Sequence, residues 1–466
     1  MLFNSLPFLV FLAATFALYW SLSGHRKIQN WLILIASYFF YGSWDWRFLI
    51  LIVISSIVDF VVGRAMPPTQ GKRRKLLLAI SLAVNLGMLG FFKYFNFFIE
   101  SASQALTLIG LETSESSLNI LLPVGISFYT FQTLSYTIDI YRKRFSPTKN
   151  WVEFFAFVGF FPQLVAGPIE RACNLLPQFE KNRTFDSSLA TSGLRLFLWG
   201  LFKKMVIADR LAVLVDALYA DPSENNGVTA ILAGVLFAYQ IYCDFSGYSD
   251  MAIGTGRLLG FRLMRNFKTP FHSRSTTEFW QRWHISLSSW FKDYLYIPLG
   301  GNKVSVAKWT INIAITFTIS GLWHGANITF ILWGFLCSIP IILERLLGQV
   351  RPGAIVTFLL FSLMMIIFRS PDLGSAIVMY SQLADFTSID FSILFNSVNH
   401  PFNVYYTLSL LLVFILTEYG LGTIDFDEAL TRFPKAARWS IYYAIVLTIF
   451  LFGITDNAPQ FIYFQF

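Results

Sequence analysis

From Trp309 to Leu343 the chain carries no formal charge, yet His324 sits inside that run, in "SGLWHGAN". At 1.5 Å per residue a straight helix over such a run would be about 50 Å long, against a hydrocarbon core of roughly 30 Å. The run must therefore tilt steeply or break. Gly321 and Gly325 flank the histidine and mark the natural place for a break or for close helix contact.

Other stretches point the same way. "LLLAISLAVNLGMLGFF", Leu76 to Phe92, is apolar on every side of a helix, which requires lipid or protein all round it. With 55% hydrophobic and only 13% charged residues, a soluble fold is excluded. The expectation is an all-α integral membrane protein, a polytopic bundle of about ten to twelve helices with re-entrant segments. It forms one transmembrane domain over residues 1–466, with a short extracytoplasmic tail from about residue 454. The first apolar segment lacks a preceding cation and a small-residue cleavage site, so it reads as a first span rather than a removable leader. Cys173, Cys243 and Cys337 are isolated and read as small core residues.

The net charge of +8 gathers in short loops rather than in one basic stripe with interleaved aromatics, which argues against nucleic acid and for membrane lipid as the surrounding partner. The loops alternate in charge as the positive-inside rule requires: "GHRKIQN", "GKRRK" and "YRKRFSPTK" are cationic, and those between them are not. This places Lys72–Lys75 and Arg142–Arg144 in the cytoplasm and both chain termini outside. The alternation fails after Trp151, because one apolar stretch separates two cationic clusters. A re-entrant segment in "FVGFFPQLVAGPIERACNLLP" restores the count, since Pro162, Gly167, Pro168 and Pro177 interrupt helical hydrogen bonding. Such backbone is tolerated at membrane depth only inside protein or beside a water-filled cavity.

Of five histidines, His25, His272 and His400 lie in polar or loop sequence. His284 lies in the Trp-rich "EFWQRWHISLSSWFKDYLYIPLGGN", where it reads either as a polar residue of an interfacial amphipathic helix or as part of a site. An ionisable group such as His324 within a spanning run costs roughly 2 to 3 kcal/mol to insert, so it usually faces a cavity and works there. A neutral imidazole so placed can take a proton from a hydroxyl nucleophile and return it to a leaving group. No HxxxH or HExxH spacing suggests a metal, and "GTGRLLG" lacks the strand context of a nucleotide-binding loop. The polar run "YCDFSGYSDMAIGTG" sets Asp244 and Asp250 among apolar neighbours, either paired with Arg257 or Arg262 or lining a cavity.

Taken together, "ASYFFYGSWDWRFL", "LLPVGISFYTFQTLSYTIDIYR", "FFPQLVAGPIER", "YCDFSGYSDMAIGTGRLLGF", "RWHISLS", "SGLWHGANITFILWGF" and "PQFIYFQF" resemble the bacterial membrane-bound O-acyltransferase (MBOAT) family, in its alginate O-acetylation branch. The resemblance implies a helical bundle around a central funnel and an acyltransferase of the bacterial inner membrane. It would carry an acetyl group from a cytoplasmic thioester donor, acetyl-CoA, toward an extracytoplasmic polysaccharide, with no permanently bound cofactor. The family's essential histidine falls on His324 and a second motif position on His284. An extracytoplasmic acetyltransferase or esterase-like protein is the implied partner. The tail resembles a small peptide of teichoic-acid D-alanylation machinery, which makes Tyr463 the candidate acyl relay. The plainer role for Phe461, Tyr463, Phe464 and Phe466 is an interfacial aromatic belt. Donor phosphates would be attracted by Lys72–Lys75, Arg142–Arg144 and Lys203–Lys204.

Leu336 and Cys337 stand where alginate-type relatives carry a histidine and a glycine, and peptidoglycan, cellulose and other exopolysaccharide systems use similar proteins. From other functional classes, a transporter or flippase would also need broken helices and a polar cavity, but the chain shows little intramembrane charge and no evident internal repeat. A non-catalytic scaffold gives no reason to keep an imidazole in "LWHG".

Overall fold

The computed structural model describes residues 1–111, 118, 120–165, 167–396, 400–454 and 459–462. They contain helices and no strand. In chain order the helices that matter below are α1 (Leu6–Ser21), α2 (Arg26–Asp45), α3 (Leu49–Ala65), α4 (Gly71–Leu89), α5 (Phe95–Leu108), α6 (Ile126–Tyr141), α7 (Trp151–Val158), α8 (Phe161–Leu164), α9 (Ala172–Glu180), α10 (Ser187–Phe202), α11 (Asp209–Ala220), α12 (Gly227–Leu258), α13 (Thr276–Arg282), α14 (Ile285–Phe291), α15 (Val306–His324), α16 (Ile328–Leu346), α17 (Ala354–Arg369), α18 (Leu373–Gln382), α19 (Ser392–Asn396), α20 (Phe402–Leu421), α21 (Phe426–Ala429) and α22 (Lys435–Phe452). Six helical stretches among the described residues are long and apolar enough to cross a membrane, and α1, α17 and the α7–α8 segment are shorter apolar ones. On α22 the large side chains of Trp439, Tyr443, Leu447 and Phe450 are exposed, as a lipid-facing helix requires. The protein is a polytopic helical membrane protein.

The chain forms two compact units, residues 1–191 with 255–264 and residues 192–254 with 265–466. In the first, α3, α4 and α6 are joined by buried polar groups. Asp59 accepts from Ser81 Oγ at 2.5 Å and from Asn85 Nδ2 at 2.9 Å, and Ser81 also meets Thr137 Oγ1 at 2.9 Å. Hydrogen bonds of this kind hold helices together where lipid gives no hydrophobic drive. The proline-rich stretch breaks as its sequence requires. In place of one spanning helix it forms α7, α8 and α9, with Pro162 in the first turn of α8 and Pro177 inside α9. Packed protein surrounds the break: Phe154, Phe157, Phe160 and Phe161 are fully buried, and Gln132 Nε2 donates to the Phe157 carbonyl at 2.8 Å.

In the second unit the charge-free run is a helical hairpin. Helix α15 ends on His324, Gly325 is extended (φ −162°, ψ 156°), and Asn327 caps α16 by accepting from Thr329 N. The arms touch at glycines, where a Cβ on Gly321 would lie 2.1 Å from the Phe330 carbonyl oxygen and one on Gly334 2.3 Å from that of Phe317. Both expected outcomes, break and close contact, therefore occur.

One charge assignment is corrected. Lys203 and Lys204 are not a cytoplasmic loop: a π-helical turn, Lys203–Ala208, carries α10 into α11, and both lysines are buried within it. They are tolerated there because they are paired, Lys203 with Asp250 at 2.7 Å, and Lys204 with Asp244 at 2.7 Å and Asp209 at 2.8 Å. The same pairs give Asp244 and Asp250 lysine partners from the π-helical turn, cations that the sequence reading did not name for them. Cys243 and Cys337 are buried as expected, whereas Cys173, on α9, is exposed.

Candidate active site

His324 owes its position to the end of α15. With Gly325 extended, the chain leaves the helix at once, and the Phe330 ring fills the space beside it: a Cβ on Gly325 would meet Phe330 Cε2 at 2.1 Å. The imidazole is thereby held among aromatic rings, with centroids at 5.0 Å for Trp323, 5.1 Å for Trp333 and 5.3 Å for Phe368.

His284 arrives from a second break. The Trp-rich segment is not one interfacial helix: α13 stops at Arg282, α14 starts at Ile285, and His284 between them is left-handed, with φ 43° and ψ 53°. A residue with a Cβ pays roughly 1–2 kcal/mol for that conformation, so the surroundings must impose it. Here Ile285 N donates to the Asn266 carbonyl at 2.8 Å, Ser286 Oγ to Asn266 Oδ1 at 2.6 Å, and Asn266 Nδ2 to Ser249 Oγ at 2.9 Å. Lys268 N also donates to the Arg282 carbonyl at 3.0 Å. The reading of His284 as an interfacial side chain is overturned by this lacing, which buries the ring against Phe245, 4.6 Å away and edge-on.

The two imidazoles meet, with centroids 6.4 Å apart. Both line one cavity of about 380 Å³, together with Trp280, Ser288, Thr316 and Ser320. A cavity of that size is mostly apolar wall with a few convergent polar groups, the usual makeup of a small-molecule site. A second cavity of about 490 Å³ shares Thr277, Gln281, Tyr296, Ile313 and Ile341 with it. Arg345 and Arg351 lie on its wall. Lys303 and Lys308 are exposed near the hairpin's open end, where Arg345 on α16 covers Trp309 on α15. Neither arginine is in an ion pair among the described residues. The nearby Glu344 is engaged, accepting from Thr276 N, and from Thr277 N and Oγ1 at 3.0 and 2.8 Å.

Tyr463 lies outside the described residues, as do Phe464 and Phe466. The residues before it are well inside the second unit: Phe461 and Ile462 are buried, and the Phe461 ring packs 4.3 Å from Tyr248 and 5.8 Å from Phe245. For Phe461, burial rules out the interfacial belt. Phe245 thus separates the tail from His284 by a single ring.

Sequence reasoning missed the Asn266–Ser286 lacing, the aromatic cage and the arginines. Among 18% aromatics no single Trp stands out, and Arg345 and Arg351 sit in "ERLLGQVRPG", which reads as an ordinary loop flank.

The profile of the MBOAT, membrane-bound O-acyltransferase family, matches residues 142–358, a span that holds both histidines. The chain is 39% identical to the probable alginate O-acetylase of Pseudomonas putida, with 100% of both chains covered. It is 33% identical to the peptidoglycan O-acetyltransferase of Helicobacter pylori, over 81% of this chain and 78% of that one. With the teichoic acid D-alanyltransferase of Streptococcus thermophilus it shares 31% identity, over 50% of this chain and 58% of that one. Two buried imidazoles on one cavity, in a helical membrane protein with an O-acetylase relative along its whole length, lead to one conclusion: the chain belongs to the membrane-bound O-acyltransferase family and is an acyltransferase.

Proposed function

We propose that the protein takes an acetyl group from cytoplasmic acetyl-CoA and passes it across the bacterial inner membrane for O-acetylation of an extracytoplasmic polysaccharide, alginate-like in the first instance. The observation that carries this reading is the convergence of His284 and His324, 6.4 Å apart, on one cavity. His324 acts as the base: it accepts the proton of the attacking hydroxyl as the oxygen adds to the thioester carbonyl. When the carbon–sulfur bond breaks, the imidazolium returns that proton to the thiolate, releasing CoA as the free thiol. His284 positions the thioester or stabilises the charge that develops on it. Tyr463 supplies the hydroxyl. The resulting aryl ester hands the acetyl group to a polymer hydroxyl through an extracytoplasmic transferase and regains its phenol proton. The chain works as a single membrane domain with both termini outside.

The probable alginate O-acetylase relative supports the alginate-like acceptor. The peptidoglycan O-acetyltransferase relative supports a second reading, in which cell-wall glycan is the acceptor. Deleting the gene and measuring acetyl esters on purified exopolysaccharide and on purified peptidoglycan separates the two. Radiolabel from acetyl-CoA that reaches neither polymer, with the wild-type protein present, rejects the function.

A further inference from the structure

Three ionisable side chains in the second unit have no part in the chemistry proposed above, yet all three are buried: Lys204, Asp209 and Asp244. Burial of two carboxylates around one ammonium demands a return, because a salt bridge inside a protein seldom repays its own desolvation. Their contacts extend to the end of the chain. Asp244 holds Lys204 with one oxygen, at 2.7 Å, and with the other accepts the backbone N–H of Ile462 at 2.8 Å. Lys204 Nζ also donates to the Pro459 carbonyl at 3.3 Å. One carboxylate and one ammonium thus grip both ends of the 459–462 segment, and Asp209 balances the lysine from the far side at 2.8 Å.

The departure of the chain from α22 is fixed on the same element. Ile454 N donates to the Met205 carbonyl at 3.3 Å, within the π-helical turn that carries Lys204. A π turn displaces its carbonyls from the regular ladder and leaves them able to accept from elsewhere. Arg210, one turn on, donates to the Phe452 carbonyl. Phe461, between the two grips, fills the gap against Tyr248 and Phe245.

We propose that Lys204, Asp209 and Asp244 form a charged seat for the C-terminal segment: they are positioning residues that fix residues 459–462 inside the second unit and so set the place from which residue 463 is presented. The effect on activity rests on the acyl-relay reading of Tyr463; the seating itself does not. A peptide segment has backbone donors and acceptors that must be satisfied when it enters an apolar interior. Asp244 and Lys204 supply an acceptor and a donor at the two places where this segment needs them.

The test uses the full-length protein carrying Cys173→Ser, which removes the exposed native thiol, and Ile462→Cys, which keeps the backbone N–H and places a reporter in the buried seat. Maleimide labelling of this thiol is expected to be slow. Asp244→Leu should speed it at least tenfold, and Asp244→Asn, which keeps an oxygen to accept the N–H, should stay within a fewfold of the parent. Polymer acetylation, measured with native Ile462, should fall in the same order, and CoA retention by the purified protein should not change. Ile462→Pro, assayed for acetylation alone, removes the donor from the tail side without altering the charged groups, and it should fall as Asp244→Leu does; it decides the matter if Asp244→Leu does not accumulate. A thiol at 462 that is open in the parent, or stays protected in Asp244→Leu, overturns the seat, as does full acetylation by Ile462→Pro where Tyr463→Phe is inactive. If labelling follows the seat while Tyr463→Phe remains active, the relay fails and the seat stands.

Discussion

The guanidinium of Arg345, near the end of α16, lies over the ring of Trp309 at the start of α15, its carbon 4.2 Å from the centroid. A cation on an indole face is held by the ring's quadrupole while its N–H groups stay available to an anion. With Arg351 on the same cavity wall, it gives the histidine cavity a cationic neighbour suited to donor phosphates. Lys203 and Lys204, buried and paired with carboxylates, offer no such field. Replacing both arginines, Arg345→Gln with Arg351→Gln, should raise the KM for acetyl-CoA about tenfold, equivalent to about 1.4 kcal/mol, with kcat nearly unchanged. Steady-state kinetics in zwitterionic bilayers check this. An unchanged KM there would remove the arginines from donor binding.

His324→Ala should abolish polymer acetylation, a loss of at least about 10²-fold for a general base, in protein that still inserts and accumulates. Acetyl ester content at matched protein level is the measurement, and near-normal content would disprove the assignment of His324 as the base.

At His284 the left-handed backbone separates stability from chemistry. Both His284→Ala and His284→Gly should lose most activity, but the glycine variant should be more stable than the alanine variant by about 1 kcal/mol, because only glycine adopts φ near 43° without a Cβ penalty. Thermal unfolding in detergent compares them. If alanine proved the more stable, His284 would not occupy this conformation in the working protein.

The hairpin should be sensitive at its crossing. Gly334→Ala puts a Cβ 2.3 Å from the Phe317 carbonyl oxygen and forces the arms apart, at a cost of about 1–3 kcal/mol. Because His324 closes one arm, activity should fall along with the melting temperature. A variant as stable and as active as the parent would show that the arms are not in contact.

What the sequence could show here follows from physical scale. A charge-free run longer than a bilayer has to break, so His324 and Gly325 were legible as a break with an ionisable group in it. The prolines of 162–177 were legible for the same reason, since each removes a backbone donor wherever it stands. Lys203 and Lys204 were misread because a cation's sign is local but its partners are not: Asp244 comes from α12, and in hydropathy a buried pair looks like a loop. The setting of His284 depends on Asn266 and Ser249, which come from other segments, and no periodicity within "RWHISLS" records them. Arg345 gains its meaning only when the hairpin folds its two ends together.

The final prediction concerns Tyr463. The segment before it is inside the second unit, with Phe461 one ring removed from His284 through Phe245. A phenolic nucleophile needs a nearby base and exclusion from water, and an aryl ester stays activated for onward transfer. Tyr463→Phe keeps the ring and removes only the oxygen. If residue 463 merely packs, the phenylalanine should serve as well, because it is at least as apolar. If it carries the acyl group, polymer acetylation should fall to the level of His324→Ala while the protein accumulates normally and still retains CoA. Mass spectrometry of the C-terminal peptide from the wild type, trapped with acetyl-CoA in the absence of polymer, should show one added acetyl group that hydroxylamine removes and that Tyr463→Phe lacks. Full polymer acetylation by Tyr463→Phe would end the relay and leave direct transfer at His324 as the surviving mechanism.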